Sequence, residues 1–286
     1  MTRPARGARL IVNADDFGLS EGVNRAVIEA HERGIVTSTS IMAGGAAFEH
    51  AVDLASRCPS LDVGVHLTLT ELRPVADSVP SLVDADGQFA PHATELTKRC
   101  LRGAIALADV HKELDAQIRR ARDHGVRPSH FDGHQHVHVL PGIARVVAKL
   151  ARDHGVRAVR VPTEPPRGYM LKDLGNLKRL AEQIALGLFG SLSPLRHLRR
   201  VDRFVGFYFG GRLNEQNLRT VLERLPAGKT VELMCHPGSD DPESRYAEWH
   251  YAWAAETAAL TSPRIRELIG ARGVRLIGYR DLTGDV

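Results

Sequence analysis

Leu10-Ile11-Val12-Asn13-Ala14-Asp15-Asp16-Phe17-Gly18-Leu19-Ser20 is an apolar run that ends in two adjacent carboxylates and then a helix-capping serine. Leu10–Ala14 reads as a buried strand. After Ser20, Val23, Ala26, Val27 and Ala30 recur at helical spacing until Gly34. A strand that feeds directly into a helix is the opening unit of a parallel sheet. The same alternation continues downstream. Strands are expected at 35–42, 63–69, 129–136, 156–161, 230–234 and 274–279. Helices are expected at 48–57, 110–124, 141–154, 213–225 and 263–271. Residues 73–100, with Pro74, Pro80, Gly87 and Pro91, read as a loop with little regular structure. The fold class is therefore α/β: one domain over residues 1–286, an irregular (β/α) barrel resembling a TIM barrel, with an open doubly wound sheet as the alternative. In both architectures, function gathers beyond the carboxyl ends of the strands.

Composition narrows the function. The 286 residues are 43% hydrophobic and 25% charged, which excludes wholesale disorder. The net charge is +4, with basic residues dispersed among acidic ones, and aromatic content is 5%. No nucleic-acid partner is expected. Cys58, Cys100 and Cys235 are too far apart for a zinc pattern or a disulfide framework, as in a reducing cytoplasm. Leu10-Ile11-Val12 is too short for a signal-peptide core. The apolar stretch 184–190 is too short to cross a bilayer, which takes roughly 20 residues. A cytoplasmic location is expected.

The polar residues collect at four strand ends. The first brings Asp15 and Asp16, costly at the end of an apolar strand unless something uses them. The second brings His66, inside Val63-Gly64-Val65-His66-Leu67-Thr68-Leu69. A lone histidine there could equally be a hydrogen-bonded core residue. The third is His130-Phe131-Asp132-Gly133-His134-Gln135-His136-Val137-His138, in which four histidines and Asp132 share one face if the strand stays extended. The fourth, Val231-Glu232-Leu233-Met234-Cys235-His236-Pro237-Gly238, ends in His236. Carboxylates and imidazoles meeting in one sheet would suit Zn2+, Mn2+, Fe2+ or Co2+, and Mg2+ less well. Arg160, at a further strand end, could orient Asp15, hold a substrate hydroxyl or form a structural salt bridge.

Taken in order, these segments resemble the YdjC-like (ChbG-type) carbohydrate deacetylases. The resemblance rests on Asn13–Ser20 with Gly22-Val23-Asn24, on Gly64–Leu67, on His130–His138, on Met234–Gly238 and on Leu276–Leu282. It implies a metal-dependent amide hydrolase that removes acetyl groups from N-acetylated sugars. By position, the metal ligands would be Asp16, His66 and His134. Asp15 would be the general base and His236 the acid near the leaving amine. The metal would be Mg2+, with Zn2+, Mn2+ or Co2+ as alternatives. Within the aspartate pair, the assignment leans on analogy with the NodB-type polysaccharide deacetylases. Arg160 is carried as a substrate-binding residue, and His136 and His138 are left outside the ligand set.

Residues 163–205 carry no family motif and read as a substrate- or membrane-facing insertion. Parts of them look similar to the branch of the family associated with hopanoid glycolipids. Over 176–203, Leu177, Leu180, Ile184, Leu188 and Leu192 form a helical stripe, and Arg196, Arg199, Arg200 and Arg203 follow it. One reading packs this helix on the barrel. The other sets it on an anionic membrane surface, delivering a lipid-linked sugar. The substrate would then be either a chitooligosaccharide or N-acetylglucosaminyl conjugate, or a membrane glycolipid. A non-catalytic metal- or sugar-binding protein is the alternative from a different class, and Asp15 with His236 argues against it. Oligomeric state is open.

Overall fold

A computed structural model describes residues 7–164, 166–167, 170, 177–240 and 246–284. For Leu177, Lys178 and Arg179 only the backbone is described. Of the 163–205 segment, residues 165, 168, 169 and 171–176, Asn176 among them, lie outside the described residues.

Strand β1 (Arg9–Phe17) leads into helix α1 (Glu21–Glu32), and the Ser20 side chain accepts from Val23 N, capping the helix as its sequence foretells. β2 (Ser38–Ile41), α2 (Phe48–Arg57) and β3 (Asp62–Leu67) follow. Next come α3 (Ala93–Leu101), α4 (Leu107–Asp123), β4 (Phe131–Gly133) and α5 (Ile143–Asp153). The second half contains α6 (Leu177–Leu192), β5 (Arg203–Val205), α7 (Glu215–Leu222), β6 (Thr230–Cys235), α8 (Trp253–Thr261), α9 (Pro263–Ala271), β7 (Arg275–Leu276) and α10 (Tyr279–Thr283).

All strand pairings are parallel, in the order β4-β3-β2-β1-β6-β5, with β7 joined to the start of β1. Isolated bridges from Phe131 to Val159 and from Ala158 to Arg199 carry the sheet past β4, so it curls into a barrel-like half-cylinder covered by helices. The expected α/β barrel class holds. Leu10, Val12 and Ala14 of β1 pack into the large core under the helices. Ile11, with Ala158, Val201, Ile277 and Tyr279, forms a separate small cluster on the opposite face. Continuing that alternation, Asn13 and Asp15 also face the concave side.

Several local expectations fail for identifiable reasons. Residues 93–100, expected as loop, belong to α3, whose buried Leu96 anchors it. The strand expected at 156–161 is reduced to isolated bridges, and the one at 274–279 to two residues. The largest departure is at 129–136. β4 stops at Gly133, and His134–Val139 form a 3-10 turn in which Gln135 (φ 51°) and His136 (φ 57°) are left-handed. Three contacts hold this turn. Gln135 accepts from Ala93 N, His138 Nε2 meets Arg160 O at 2.9 Å, and Leu140 N donates to Val137 O. The histidines therefore do not share one face of an extended strand.

Candidate active site

A bulge in β1 builds the first part of the site. The register with β2 shifts between Ala14 and Phe17, and Asp16 is left-handed at φ 65°. In a regular strand Asp15 and Asp16 would point to opposite faces. The bulge re-aims Asp16, so both carboxylates serve the same end of the barrel. Gly18, itself at φ 99°, lets the chain turn into α1, with its N–H held by Asn24 Oδ1 at 2.6 Å.

Asp16, His66 and His134 then meet. Their ligand atoms all lie within 4.8 Å of one another, and all three residues are buried. Asp16 Oδ1 is 3.4 Å from His66 Nε2 and 3.2 Å from His134 Nδ1. Neither Asp16 oxygen has a hydrogen-bond partner of good geometry, although the residue is 1% exposed. A buried, orphaned carboxylate facing two imidazole nitrogens is an arrangement that a divalent cation completes. The residues present fit a metal. A second group, Asp15, His66 and Asp132, also clusters. There the Arg160 guanidinium already fills the space, with Nη1 at 2.5 Å from Asp15 Oδ2 and 3.1 Å from Asp132 Oδ2.

The ring nitrogens facing away from Asp16 are also engaged. His66 Nδ1 meets Asp132 Oδ1 at 2.9 Å, and His134 Nε2 meets Glu71 Oε2 at 2.6 Å. Burial by itself would lower both histidine pKa values, but the neighbouring carboxylates prevail. They raise His66 to about 10, chiefly through Asp132, and His134 to about 9, through Asp16 and Glu71. Asp16 would be raised by burial, yet these two imidazoles hold it well below the usual carboxylate range. Without a metal, protons on the two rings balance the buried charge.

Arg160 crosses the barrel from beyond β4 to β1. Its Nη2 donates to Asp15 Oδ1 at 2.6 Å and its Nε to Glu232 Oε1 at 2.8 Å. Asn13 Nδ2 adds a bond to Asp15 Oδ1 at 2.8 Å. Ser40 Oγ donates to Asp132 Oδ2 at 2.8 Å. The substrate-binding role expected of Arg160 does not fit its place. It is 0% exposed, surrounded by three carboxylates, and sits behind Asp15 rather than on the cavity wall.

Asp15, His66, His134 and His236 open onto one cavity of about 590 Å3. Its walls are largely apolar: Leu186 and Phe189 of α6, Phe207, Met234 and Tyr251. His236 follows β6, with its ring against Tyr251 at 4.8 Å and its backbone N–H donating to Glu256 Oε2 at 2.7 Å. Glu256 thus holds the His236 backbone, while the buried His236 Nδ1 has no hydrogen-bond partner. His136 also lines the cavity. Burial, and then Arg160, push its pKa well below the ordinary value, so it is neutral. His130 and His138 lie deeper, lowered by burial to about 3 and about 4.

All six residues singled out from the sequence thus gather at one end of the barrel. Glu71, Glu232 and Glu256 went unnoticed. Glu232, a charge inside the apolar run Val231–Leu233, was a readable signal, whereas Glu71 lies in a loop with none.

The profile of the YdjC-like protein family matches residues 9–271. A carbohydrate deacetylase of Geobacillus stearothermophilus is 37% identical over 95% of this chain and 96% of its own. One of Mus musculus is 36% identical over 96% and 94%. Among solved structures, an Enterococcus faecalis protein provisionally described as cleaving cellobiose phosphate superposes with a TM-score of 0.77. It is 29% identical, covering 96% of this chain and 99% of that one. The chain belongs to the YdjC-like protein family.

Proposed function

We propose that the protein is a metal-dependent hydrolase that removes the acetyl group from an N-acetylated sugar. The observation that carries this reading is Asp16, buried and without a hydrogen-bond partner, facing His66 Nε2 and His134 Nδ1, two histidines that line one cavity together with Asp15 and His236. The carbohydrate deacetylases among its relatives supply the substrate class. A divalent ion held by Asp16, His66 and His134 would supply a more acidic water and a polarised acetyl carbonyl. The donor set, two imidazoles and one carboxylate, favours Zn2+, Mn2+ or Co2+ over the Mg2+ implied by resemblance.

The chain's own groups do the rest. Asp15, held in place by Arg160 and Asn13, takes the proton of the attacking water as general base. His236, across the cavity, gives a proton to the departing amine. The apolar walls exclude bulk water and strengthen both interactions. Acetate release from N-acetylated sugars, measured with a chelator and after metal is restored, tests this reading. A protein that binds metal or sugar without catalysis would release none.

A second reading concerns the sugar's carrier. α6 packs onto the barrel with Gly187 and Gly190, close against Thr163 and Val161. It lines the cavity with Ala185, Leu186 and Phe189, and exposes Ile184 (52%), Leu188 (55%) and Leu192 (67%). The exposed stripe and the following Arg196, Arg199 and Arg200 favour a membrane glycolipid, such as a hopanoid glycoconjugate, over a free chitooligosaccharide. No described helix is long and apolar enough to cross a membrane. Co-sedimentation with anionic vesicles decides: binding at low salt that is lost in an Ile184→Ser, Leu188→Ser, Leu192→Ser variant supports the glycolipid, and indifference to vesicles supports the soluble sugar.

A further inference from the structure

We infer that Glu71 is a positioning residue that fixes the ring orientation and tautomer of His134, and through them the affinity of the site for a divalent cation. This inference rests on reading Asp16, His66 and His134 as the metal ligands. The two histidines must present different nitrogens to a common ion. His66 turns Nε2 toward Asp16, and His134 turns Nδ1 toward the same oxygen. A neutral imidazole has one bare nitrogen and one N–H, so a ligand histidine needs an acceptor on its far side. Asp132 provides it for His66, at Nδ1 and 2.9 Å. Glu71 provides it for His134, at Nε2 and 2.6 Å. Each histidine thus carries its own carboxylate, and the two are mirror-assigned to opposite ring nitrogens.

The backbone around Glu71 serves this contact. Glu71 is left-handed, at φ 66°, which is uncommon for a residue with a long side chain. The Thr70–Ala90 bridge, the Glu71 N–H to Ala90 O bond at 2.9 Å and the buried Leu72 pin it there. Glu71 is absent from the cavity wall, standing behind His134, and its other oxygen looks outward to His92 Nδ1 at 3.8 Å. It therefore acts on the ion through His134 and does not touch substrate.

The test uses Zn2+ as the probe with the full-length chain, stripped of metal and then titrated against a competing chelator. Glu71→Ala is expected to bind Zn2+ about 10–100-fold more weakly than wild type. Glu71→Gln, whose amide oxygen still accepts from Nε2, is expected to recover most of that loss. Nitrogen NMR of Zn2+-loaded wild type should show His134 protonated at Nε2 and metal-bound at Nδ1. A structural role alone would leave the affinity ratio and this signature untouched. Equal Zn2+ affinity in wild type and Glu71→Ala overturns the role of Glu71 while leaving the ligand set standing. His134 bound through Nε2 overturns it even if the alanine variant fails to fold. A wild type that takes up no Zn2+ overturns both.

Discussion

Arg160 grips both oxygens of Asp15, Nη1 to Oδ2 at 2.5 Å and Nη2 to Oδ1 at 2.6 Å, in a pairing that is shut off from solvent. A fork-to-fork contact of this kind fixes the plane of the carboxylate. Asp15 is thereby tied to a guanidinium, and Asp16, one residue on, is left to the histidines. Asp15→Asn is therefore expected to keep its metal and lose about 10²–10⁴-fold in turnover, the usual cost of removing a general base. Elemental analysis beside acetate release checks both. A metal-free variant would mean that Asp15 is a ligand and that the two aspartates exchange roles.

The same guanidinium also compensates Asp132 and Glu232. Removing it leaves buried carboxylates without a counter-charge. Arg160→Met should lower unfolding stability by about 3–5 kcal/mol. Arg160→Lys, a point charge that cannot bridge three carboxylates, should fall between that and wild type. Denaturant titration of the metal-free proteins gives the comparison, and a methionine variant as stable as wild type would show that the network contributes nothing.

Glu164 supplies a pH dependence. Burial raises its pKa from 4.5 to about 7, although it accepts from Gly206 N and Tyr208 N at 3.4 and 3.2 Å. A carboxyl group whose folded pKa lies above its unfolded one binds more protons in the folded state, so its contribution is full below pH 4.5 and is lost as pH rises through about 7. Measured against Glu164→Gln, wild-type stability should decline across that window by up to about 3 kcal/mol and then level off. A difference that stays flat from pH 4.5 to 8 would contradict the assignment.

Gly64 sits in β3 directly against the His130 ring, which stacks on Tyr279 with centroids 3.7 Å apart. A methyl group there would enter the space of the imidazole. Gly64→Ala should cost about 1–3 kcal/mol as an overpacked core substitution, read from the denaturation midpoint. Unchanged stability would show that His130 and Tyr279 have room to shift.

What the sequence made legible follows the range of each interaction. The β1–Ser20–α1 unit is local, written in consecutive apolar residues and a capping side chain, and its helix starts where expected. The Asp15-Asp16 pair stood out because carboxylates ending an apolar strand are costly without a use, whereas His66, His134 and His236 took their roles from the resemblance to the family. The histidine run misled because alternation assumes an extended chain, whereas Gln135 and His136 turn left-handed to satisfy contacts with α3 and Arg160. From the sequence, Arg160 could orient Asp15, hold a substrate hydroxyl or form a structural salt bridge. Its buried setting comes from Asp15, Asp132 and Glu232, which lie 145, 28 and 72 residues away. Pairings over such separations leave no periodic trace in a single chain. Glu71 is invisible for the same reason.

The most direct test of the central claim is acetate release by the purified protein from an N-acetylated chitooligosaccharide and from an N-acetylglucosaminyl lipid. Each is assayed after chelation and again after Zn2+, Mn2+, Co2+ or Mg2+ is returned, with His66→Ala and His134→Ala alongside. The expected result is acetate from at least one substrate only when metal is present, and neither metal nor activity in the two histidine variants. Acetate release that survives chelation, or variants that retain both metal and turnover, would contradict the assignment of Asp16, His66 and His134 as the catalytic metal site.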